Sequence, residues 1–143
     1  MSVEKPEKPD GLYLYENGAW IQKSQEDFTE GVHIVYFNNK ECFACLLFNA
    51  TWNKFVELTN SSNLKFWTVI CSWFAKKCSD DRAKWLFENY QVKSSPTILI
   101  IRDGVIIKTI KGSLSLEELE KQIKDILEGK EEQKEDLTKR FVC

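Results

Sequence analysis

The chain has 143 residues, of which 43% are hydrophobic and 29% are charged, a composition expected of one folded domain and not of a disordered segment. Its formal net charge of -2 argues against a general nucleic-acid-binding protein, whose surface is usually basic. No apolar run is long enough to span a bilayer, and residues 1–11 lack the apolar region of a signal peptide. We therefore expect a cytoplasmic protein.

The first predicted elements are the two strands of a hairpin. Residues 1–10 are polar and contain two prolines, so we expect a flexible lead-in there. Apolar residues then alternate on either side of the Asn-Gly pair at 17–18, which predicts strands near 12–15 and 19–22. The acidic segment 25–30 follows a serine and precedes a glycine, and it predicts a short helix.

The middle of the chain alternates between apolar strands and amphipathic helices. Apolar runs at 32–37 and 64–71 predict two buried strands. Apolar residues three or four positions apart predict a helix over 43–59 between them. A second helix is predicted over 79–90, with Ser79 as its N-cap. A strand-helix-strand unit of this kind implies parallel strands joined by a right-handed crossover.

The last predicted elements are a hairpin and a helix. The β-rich runs 97–101 and 105–110 lie on either side of an Asp-Gly turn, which indicates antiparallel strands. Ser115, with Glu118 three residues later, has the spacing of a capping box for a helix over 116–129. The chain is therefore expected to form an α/β domain with a mixed central sheet and helices on both faces.

A Cys-x-x-Cys pair, Cys42 and Cys45, lies between the first buried strand and the helix that follows it. Thiols at this spacing can be a redox couple, half of a zinc site or two core residues. The backbone N–H groups at a helix start stabilise a thiolate on Cys42, whereas Cys45 lies on the inward stripe. This favours Cys42 as the nucleophile and Cys45 as the resolving thiol. His33, the only histidine, is expected at a strand edge and not beside the thiols.

From residue 20 to residue 128 the chain resembles the thioredoxin superfamily. The resemblance depends on "CFAC" after the strand "VHIVYF", the strand "KFWTVIC", the segment "NYQVKSSPTILIIRDG" before a hairpin, and the terminal amphipathic helix. It implies a thioredoxin-like fold with an N-terminal hairpin extension. It also implies a cis bond before Pro96, beside the active thiols. The residues that would line the substrate groove are Phe43, Ala44, Ser95 and Pro96.

A second pair, Cys71 and Cys78, resembles the accessory Cys-x6-Cys pair in the catalytic domains of protein disulfide isomerases. That resemblance implies a structural disulfide. The alternatives are two free buried thiols, or a zinc site made with Cys42 and Cys45, although the x6 spacing is longer than zinc pairs usually have. Cys143 is left without a partner, unless the ending "FVC" docks on another protein or forms an intermolecular disulfide.

Four positions depart from the usual thioredoxin pattern. Glu41 replaces a Trp, Phe43-Ala44 replaces Gly-Pro, Tyr36 replaces a buried acid, and Ala50 replaces a helix proline. A carboxylate beside the first thiol disfavours its thiolate. Without the buried acid, the second thiol needs water or another group to take its proton. We therefore do not transfer the redox potential or the partners of the family to this chain.

We expect residues 32–128 to form the thioredoxin-like domain, with an extension over 1–31 and a charged tail over 129–143. The predicted reaction is thiol–disulfide exchange on protein substrates. A reductase or another dithiol protein would supply the electrons, and no metal or organic cofactor, nucleic acid or membrane is expected to take part. The alternatives are a non-catalytic thioredoxin-fold module that binds partner proteins, and the four-cysteine zinc site.

Overall fold

A mixed β-sheet with helices on both faces is the framework of the computed structural model, which describes residues 8–61, 63–129 and 141–143. Within these residues, six strands and three helices follow one another along the chain. They are β1 (Gly11–Glu16), β2 (Ala19–Lys23), β3 (Val32–Asn39), α1 (Phe43–Thr59), β4 (Leu64–Cys71), α2 (Asp81–Asn89), β5 (Thr97–Arg102), β6 (Val105–Lys111) and α3 (Leu116–Leu127).

The strands lie in the order β2-β1-β4-β3-β5-β6. The central pair, β3 and β4, is parallel, as the strand-helix-strand pattern predicted, and the other neighbouring pairs are antiparallel. The N-terminal hairpin is continuous with this sheet, because β1 pairs with β4. The predicted mixed sheet with an extra N-terminal hairpin is confirmed.

The two faces of the sheet carry separate cores because side chains alternate along each strand. Ile34 and Tyr36 of β3 face α1 and α3, whereas Val35 and Phe37 face α2. The predicted inward stripe of α1 is confirmed, and its largest buried side chain is Trp52. A large apolar side chain that is fully buried contributes about 1.5–3 kcal/mol, so these contacts hold the three helices against the sheet.

The segment 25–30, for which a short helix was predicted, is not helical. Phe28 is buried and packs edge-to-face on Trp67 in the core. Asp27 accepts hydrogen bonds from the backbone N–H and the hydroxyl of Thr29, which closes a local turn instead of a helix. The helix prediction was therefore wrong, because tertiary contact and turn chemistry outweigh local helix propensity here.

The start of α2 also differs from the prediction. The helix begins at Asp81, and its N-cap is Asp80, whose carboxylate accepts a 2.9 Å hydrogen bond from the backbone N–H of Ala83. Ser79, the predicted N-cap, donates its N–H and its hydroxyl to Asp10 instead. The cap of the last helix is confirmed, since Ser115 and Glu118 make the predicted capping box.

The predicted tail over 129–143 is described only at Gly129 and at residues 141–143, and the other tail residues lie outside the described part. The last helix ends at Leu127, two residues before the predicted end. Within the described ranges, no helix is both long and apolar enough to cross a membrane.

Candidate functional site

Cys42 is the N-cap residue of α1 and has an extended backbone. Its N–H donates to the carbonyl of Asn39, and its carbonyl accepts the first helical bond from Leu46. No acidic side chain lies in the first turn of this helix. The helix N–H groups and macrodipole therefore favour a Cys42 thiolate in the reduced state, whereas the carboxylate of Glu41, which precedes the helix, opposes it.

Cys45 lies one turn into α1 and is a free, buried thiol. Burial raises the pKa of the Cys45 thiol, whereas the backbone N–H of Asn39 and the hydroxyls of Ser95 and Tyr36 act to lower it by stabilising the thiolate. The Asn39 N–H donates to Cys45 Sγ at 3.5 Å. Cys45 is thus kept protonated mainly by burial, with donors already placed for its ionised form.

Asn39, at the end of β3, organises the backbone around both thiols. Its side-chain oxygen accepts 3.0 Å hydrogen bonds from the N–H groups of Glu41 and Trp73. Its own N–H and carbonyl contact Cys45 and Cys42, respectively. This role of Asn39 was not predicted from the sequence. The available signal was a polar Asn-Asn pair at the end of a strand that is otherwise buried and apolar.

The loop before β5 reaches the thiols from the other side. The Ser95–Pro96 peptide bond is cis, and both residues are buried. The carbonyl oxygen of Ser95 lies 3.5 Å from Cys42 Sγ. Of the other two residues expected to line a groove, Phe43 is 62% exposed, whereas Ala44 is buried in a cluster with the two thiols.

Cys42 is joined to Cys143 by a disulfide, and not to Cys45. The expectation that Cys143 has no partner was therefore wrong. The segment 141–143 lies against the Ser95 loop: Cys143 and Ser95 exchange two backbone hydrogen bonds, and Phe141 accepts a third from Ser113. Sequence spacing could not indicate this pairing, because the two cysteines are 101 positions apart.

Cys71 and Cys78 form a second disulfide. Cys71 is the register partner of Asn39 across the parallel pair of strands, and its carbonyl accepts a hydrogen bond from the N–H of Lys40. The loop that this disulfide closes includes Trp73, whose N–H binds the side chain of Asn39. The Cys71–Cys78 disulfide therefore supports the backbone around Asn39 and Lys40, next to the site, and its sulfur atoms are not among the reacting atoms.

A buried carboxylate, Asp10, joins the N-terminal segment to the residues around the second disulfide. It forms a 3.0 Å ion pair with Lys40 and accepts hydrogen bonds from Ser72 and Ser79. Burial acts to raise the pKa of Asp10, but the Ser79 N–H and Lys40 outweigh it, so the pKa lies below its usual value. Asp10 is therefore held in place, and its assignment to a flexible lead-in was wrong; residues 1–7 of that predicted segment lie outside the described residues.

Tyr36 occupies the position at which the resemblance led us to expect a buried acid. Its hydroxyl donates a 2.6 Å hydrogen bond to Asn49 Oδ1, and Asn38 Nδ2 donates to the same oxygen at 3.1 Å. Burial, and then the neighbouring Cys45, raise the pKa of Tyr36 well above its usual value. The single hydroxyl hydrogen of Tyr36 is directed at Asn49 while Cys45 is protonated, and it must turn to the sulfur to stabilise a Cys45 thiolate. Tyr36 is therefore a neutral donor for the thiolate and not a base at neutral pH.

His33 lies near the start of β3, at the far end of the strand from Asn39 and so not beside the thiols, as predicted. It is buried within a central strand and is not a strand-edge side chain. Its Nδ1 accepts a hydrogen bond from Trp67, and its Nε2 binds the carbonyl of Glu30. Burial lowers the pKa of His33. Across the described stretches of chain, no group of three or more histidine, cysteine or acidic side chains is arranged to hold a metal ion.

Comparison with known proteins identifies one family. The family model described as Thioredoxin matches residues 14–125, which is more than half of the chain. The structure is similar to a thioredoxin from Aeropyrum pernix, with 16% identity and a TM-score of 0.66 over 84% of this chain and 97% of that one. It is also similar to oxidised mitochondrial thioredoxin 3 from Saccharomyces cerevisiae, with 22% identity and a TM-score of 0.52 over 68% of this chain and 82% of that one. At these identities the two structures support the shared fold.

Proposed function

The chain belongs to the thioredoxin family, and on that basis we propose that it is a thiol–disulfide oxidoreductase that acts on protein disulfides. The observation that carries this proposal is the position of Cys42 at the N-terminus of α1, next to the Ser95 carbonyl, with the free thiol of Cys45 one turn further on. A helix N-terminus is the environment that lowers the pKa of reactive cysteines.

In the proposed reaction, the Cys42 thiolate attacks one sulfur of a substrate disulfide, and the other substrate sulfur leaves as a thiolate. The Cys45 thiolate then attacks Cys42 Sγ, which releases the second substrate sulfur and forms a Cys42–Cys45 disulfide. Two protein thiols are oxidised, and one substrate disulfide is reduced to two thiols. A reductase or another dithiol protein would restore the starting state.

The resolving step requires Cys45 to lose a proton although burial opposes its ionisation. The Asn39 N–H and the Tyr36 hydroxyl support this step, because each stabilises the Cys45 thiolate without carrying a charge of its own. Neither group accepts the proton. A water molecule or the departing substrate thiolate therefore serves as the base.

The test is reduction of insulin disulfides, followed by turbidity with dithiothreitol as the electron donor. Wild-type protein is expected to exceed Cys42→Ser by at least about tenfold, because the substituted hydroxyl cannot form the mixed disulfide. Ser61→Ala, a change on the exposed surface, is the matched control and should retain wild-type activity. Equal rates for wild type and Cys42→Ser would contradict an enzymatic function.

The second candidate is a non-catalytic module that binds other proteins through the same loops. It is favoured by one observation, namely that the Cys42 sulfur is bonded and completely buried. A reactive thiol must become accessible during turnover. Under this alternative, wild type and Cys42→Ser would reduce insulin equally slowly and would bind a partner equally well.

A further inference from the structure

We propose that Cys143 is a third redox-active cysteine, and that the segment 141–143 is a built-in substrate that covers the reactive thiol in the oxidised protein. This inference rests on the proposed function, since it takes Cys42 as the reactive thiol. It adds a reaction partner within the same chain and a description of the polypeptide that the site accepts.

The backbone of this segment is bound as an added strand would be. The N–H of Cys143 donates to the Ser95 carbonyl at 2.8 Å, and the N–H of Ser95 donates back to the Cys143 carbonyl at 3.2 Å. Such an exchange of two bonds is the pattern of a hydrogen-bonded pair in an antiparallel ladder. Two residues earlier, the Phe141 carbonyl accepts a 2.9 Å hydrogen bond from the N–H of Ser113, which lies in a different segment from Ser95.

The side chains of the segment contribute little to this recognition. Phe141 is 73% exposed and Val142 is 49% exposed, so neither side chain fills a pocket. Backbone hydrogen bonds give affinity in strand addition, whereas side-chain pockets give sequence specificity. The site therefore selects an extended segment that presents a cysteine, and it has little preference for the residues that precede that cysteine.

The bound segment also decides which thiol can react next. Cys42 is 0% exposed while it is bonded to Cys143, so an incoming protein thiol cannot reach its sulfur. Cys45 is free, belongs to the same buried cluster as Cys42, and lies next to the Asn39 N–H that stabilises its thiolate. It is the thiol placed to open the bond to Cys143.

The exchange balances without an external oxidant or reductant. The Cys45 thiolate attacks Cys42 Sγ, the bond between Cys42 and Cys143 breaks, and Cys143 leaves as a thiolate that takes up a proton. The product is the Cys42–Cys45 disulfide with a free Cys143. In the reverse direction, Cys143 attacks Cys42 Sγ and expels Cys45. The oxidised protein is therefore an equilibrium mixture of a Cys42–Cys143 form and a Cys42–Cys45 form, which are in the same oxidation state.

An intramolecular partner has a strong advantage over a protein thiol in solution. Groups tethered in one chain commonly meet at effective concentrations on the order of mM, whereas protein partners are usually far more dilute. The segment thus keeps Cys42 covered after oxidation until Cys45 opens the bond or a small reductant cleaves it. Removal of Cys143 should make oxidised Cys42 more accessible to protein dithiols.

The test uses the peptides that trypsin produces from the full chain. Cleavage after Lys40, Lys54 and Arg140 places both helix cysteines in the peptide 41–54 and isolates the peptide 141–143. Monomeric protein is oxidised with glutathione disulfide, quenched with acid, alkylated and mapped without reduction. Wild type should yield 41–54 linked to 141–143, together with 41–54 carrying an internal disulfide.

Single substitutions identify the cysteine that is bonded. Cys45→Ser should retain the link and increase its share several-fold, because the resolving thiol is absent. Cys42→Ser should lose the link, and Ser61→Ala should match wild type. Absence of the link from both wild type and Cys45→Ser, or a link that survives Cys42→Ser and disappears in Cys45→Ser, would overturn the proposal.

A synthetic peptide tests recognition separately. Acetyl-Phe-Val-Cys-amide, activated as its disulfide with thionitrobenzoate, should transfer its cysteine to Cys42 of a Cys45→Ser/Cys143→Ser protein and release the coloured thiol. The same peptide with an N-methylated cysteine lacks the N–H that would donate to Ser95, and it should react about fivefold more slowly, the effect of losing one hydrogen bond. Equal rates would contradict the strand-like mode of binding.

Insulin reduction by the same preparations separates this inference from the proposed function. Activity without any link between 41–54 and 141–143 leaves the function standing and removes the inference. The link together with equal insulin reduction by wild type and Cys42→Ser removes the function and supports the pairing of Cys42 with Cys143.

Discussion

The Tyr36 hydroxyl donates a 2.6 Å hydrogen bond to the side-chain oxygen of Asn49 in the middle of the core. The tyrosine ring also packs on Phe48 and Trp52, with ring centroids 5.3 Å apart in each case. The hydroxyl is thus held in a fixed place near Cys45 by contacts that do not involve the thiol. A neutral donor takes the place of a buried acid, which changes how the second thiol is expected to ionise.

Tyr36→Phe removes this donor and keeps the ring. The Cys45 thiolate loses one stabilising hydrogen bond, so the pKa of Cys45 rises further and the resolving step slows at neutral pH. The rate should recover as the pH is raised. The step can be followed as release of the second thionitrobenzoate from Ellman's reagent in a Cys143→Ser background, where Cys45 is the remaining resolving thiol.

Tyr15→Phe is the matched control for this substitution. Tyr15 packs on Trp20 in the N-terminal hairpin, away from the thiols. It should leave the pH profile of the resolving step unchanged. A Tyr36→Phe profile that coincides with wild type would show that the hydroxyl does not act on Cys45.

Asn39→Ala should both destabilise the protein and slow its reaction. Two part-buried backbone N–H groups, those of Glu41 and Trp73, lose their acceptor, and the loss of each hydrogen bond costs about 0.5–1.5 kcal/mol. Urea unfolding measures the loss of stability, and alkylation of reduced protein measures the reactivity of Cys42. Asn60→Ala, on the exposed end of α1, should change neither quantity.

Asn39→Asp distinguishes geometry from charge at the same position. The carboxylate retains the acceptor for both N–H groups but introduces a negative charge on the residue whose backbone N–H contacts Cys45, which raises the pKa of the thiol. Stability should therefore remain closer to wild type than in Asn39→Ala, while the resolving step shifts to higher pH. If both variants lost the same stability, the acceptor role of the side chain would be wrong.

Asp10→Asn should reduce stability in a pH-dependent way. The pKa of Asp10 in the folded state lies below its usual value, so its contribution is fully present above the unfolded pKa of about 3.9. This contribution is lost as the pH falls through the lower, folded value. The difference in the free energy of unfolding between wild type and variant should be about 1–3 kcal/mol at pH 7, and it should shrink steadily in more acidic solution.

Asp125→Asn serves as the control for this measurement. Asp125 pairs with Lys121 on the exposed surface of α3, where an ion pair usually contributes less than about 1 kcal/mol. Its effect should be small at every pH. A wild-type advantage over Asp10→Asn that stayed constant down to pH 2 would contradict the ionised state of Asp10.

Replacing Cys71 and Cys78 by alanine should lower stability by about 2–3 kcal/mol, the value for closing a short loop in the unfolded chain. The same loop carries Trp73, which binds Asn39, so Cys42 reactivity should fall as well. Denaturant unfolding before and after treatment with reductant measures the effect. Wild type should lose this stability on full reduction, whereas the double variant should lose only the part that depends on Cys143.

Much of the fold could be read from residues that are neighbours in sequence. The Asn-Gly and Asp-Gly turns, the capping box at Ser115 and the apolar stripe of α1 all predicted elements that the structure contains. Each signal depends on contacts within about four residues, where backbone geometry and side-chain spacing are closely coupled. The same local logic located Cys42 at the start of a helix.

The failures share a different physical origin. Segment 25–30 has a helical pattern, but Phe28 packs on Trp67 instead. Asp10 was assigned to the flexible lead-in, but it accepts a hydrogen bond from Ser79. In both cases a residue is held by partners dozens of positions away, and local propensity does not report such contacts.

What the sequence determined by itself is the order of strands and helices and the pair of thiols at a helix start, because short-range periodicity and turn chemistry specify them. Only the tertiary structure decided which cysteine Cys42 meets and which groups surround Cys45. The Ser95 loop, the end of β3 and the segment 141–143 converge there from distant parts of the chain. Packing of the whole sheet, and not any local pattern, brings them together.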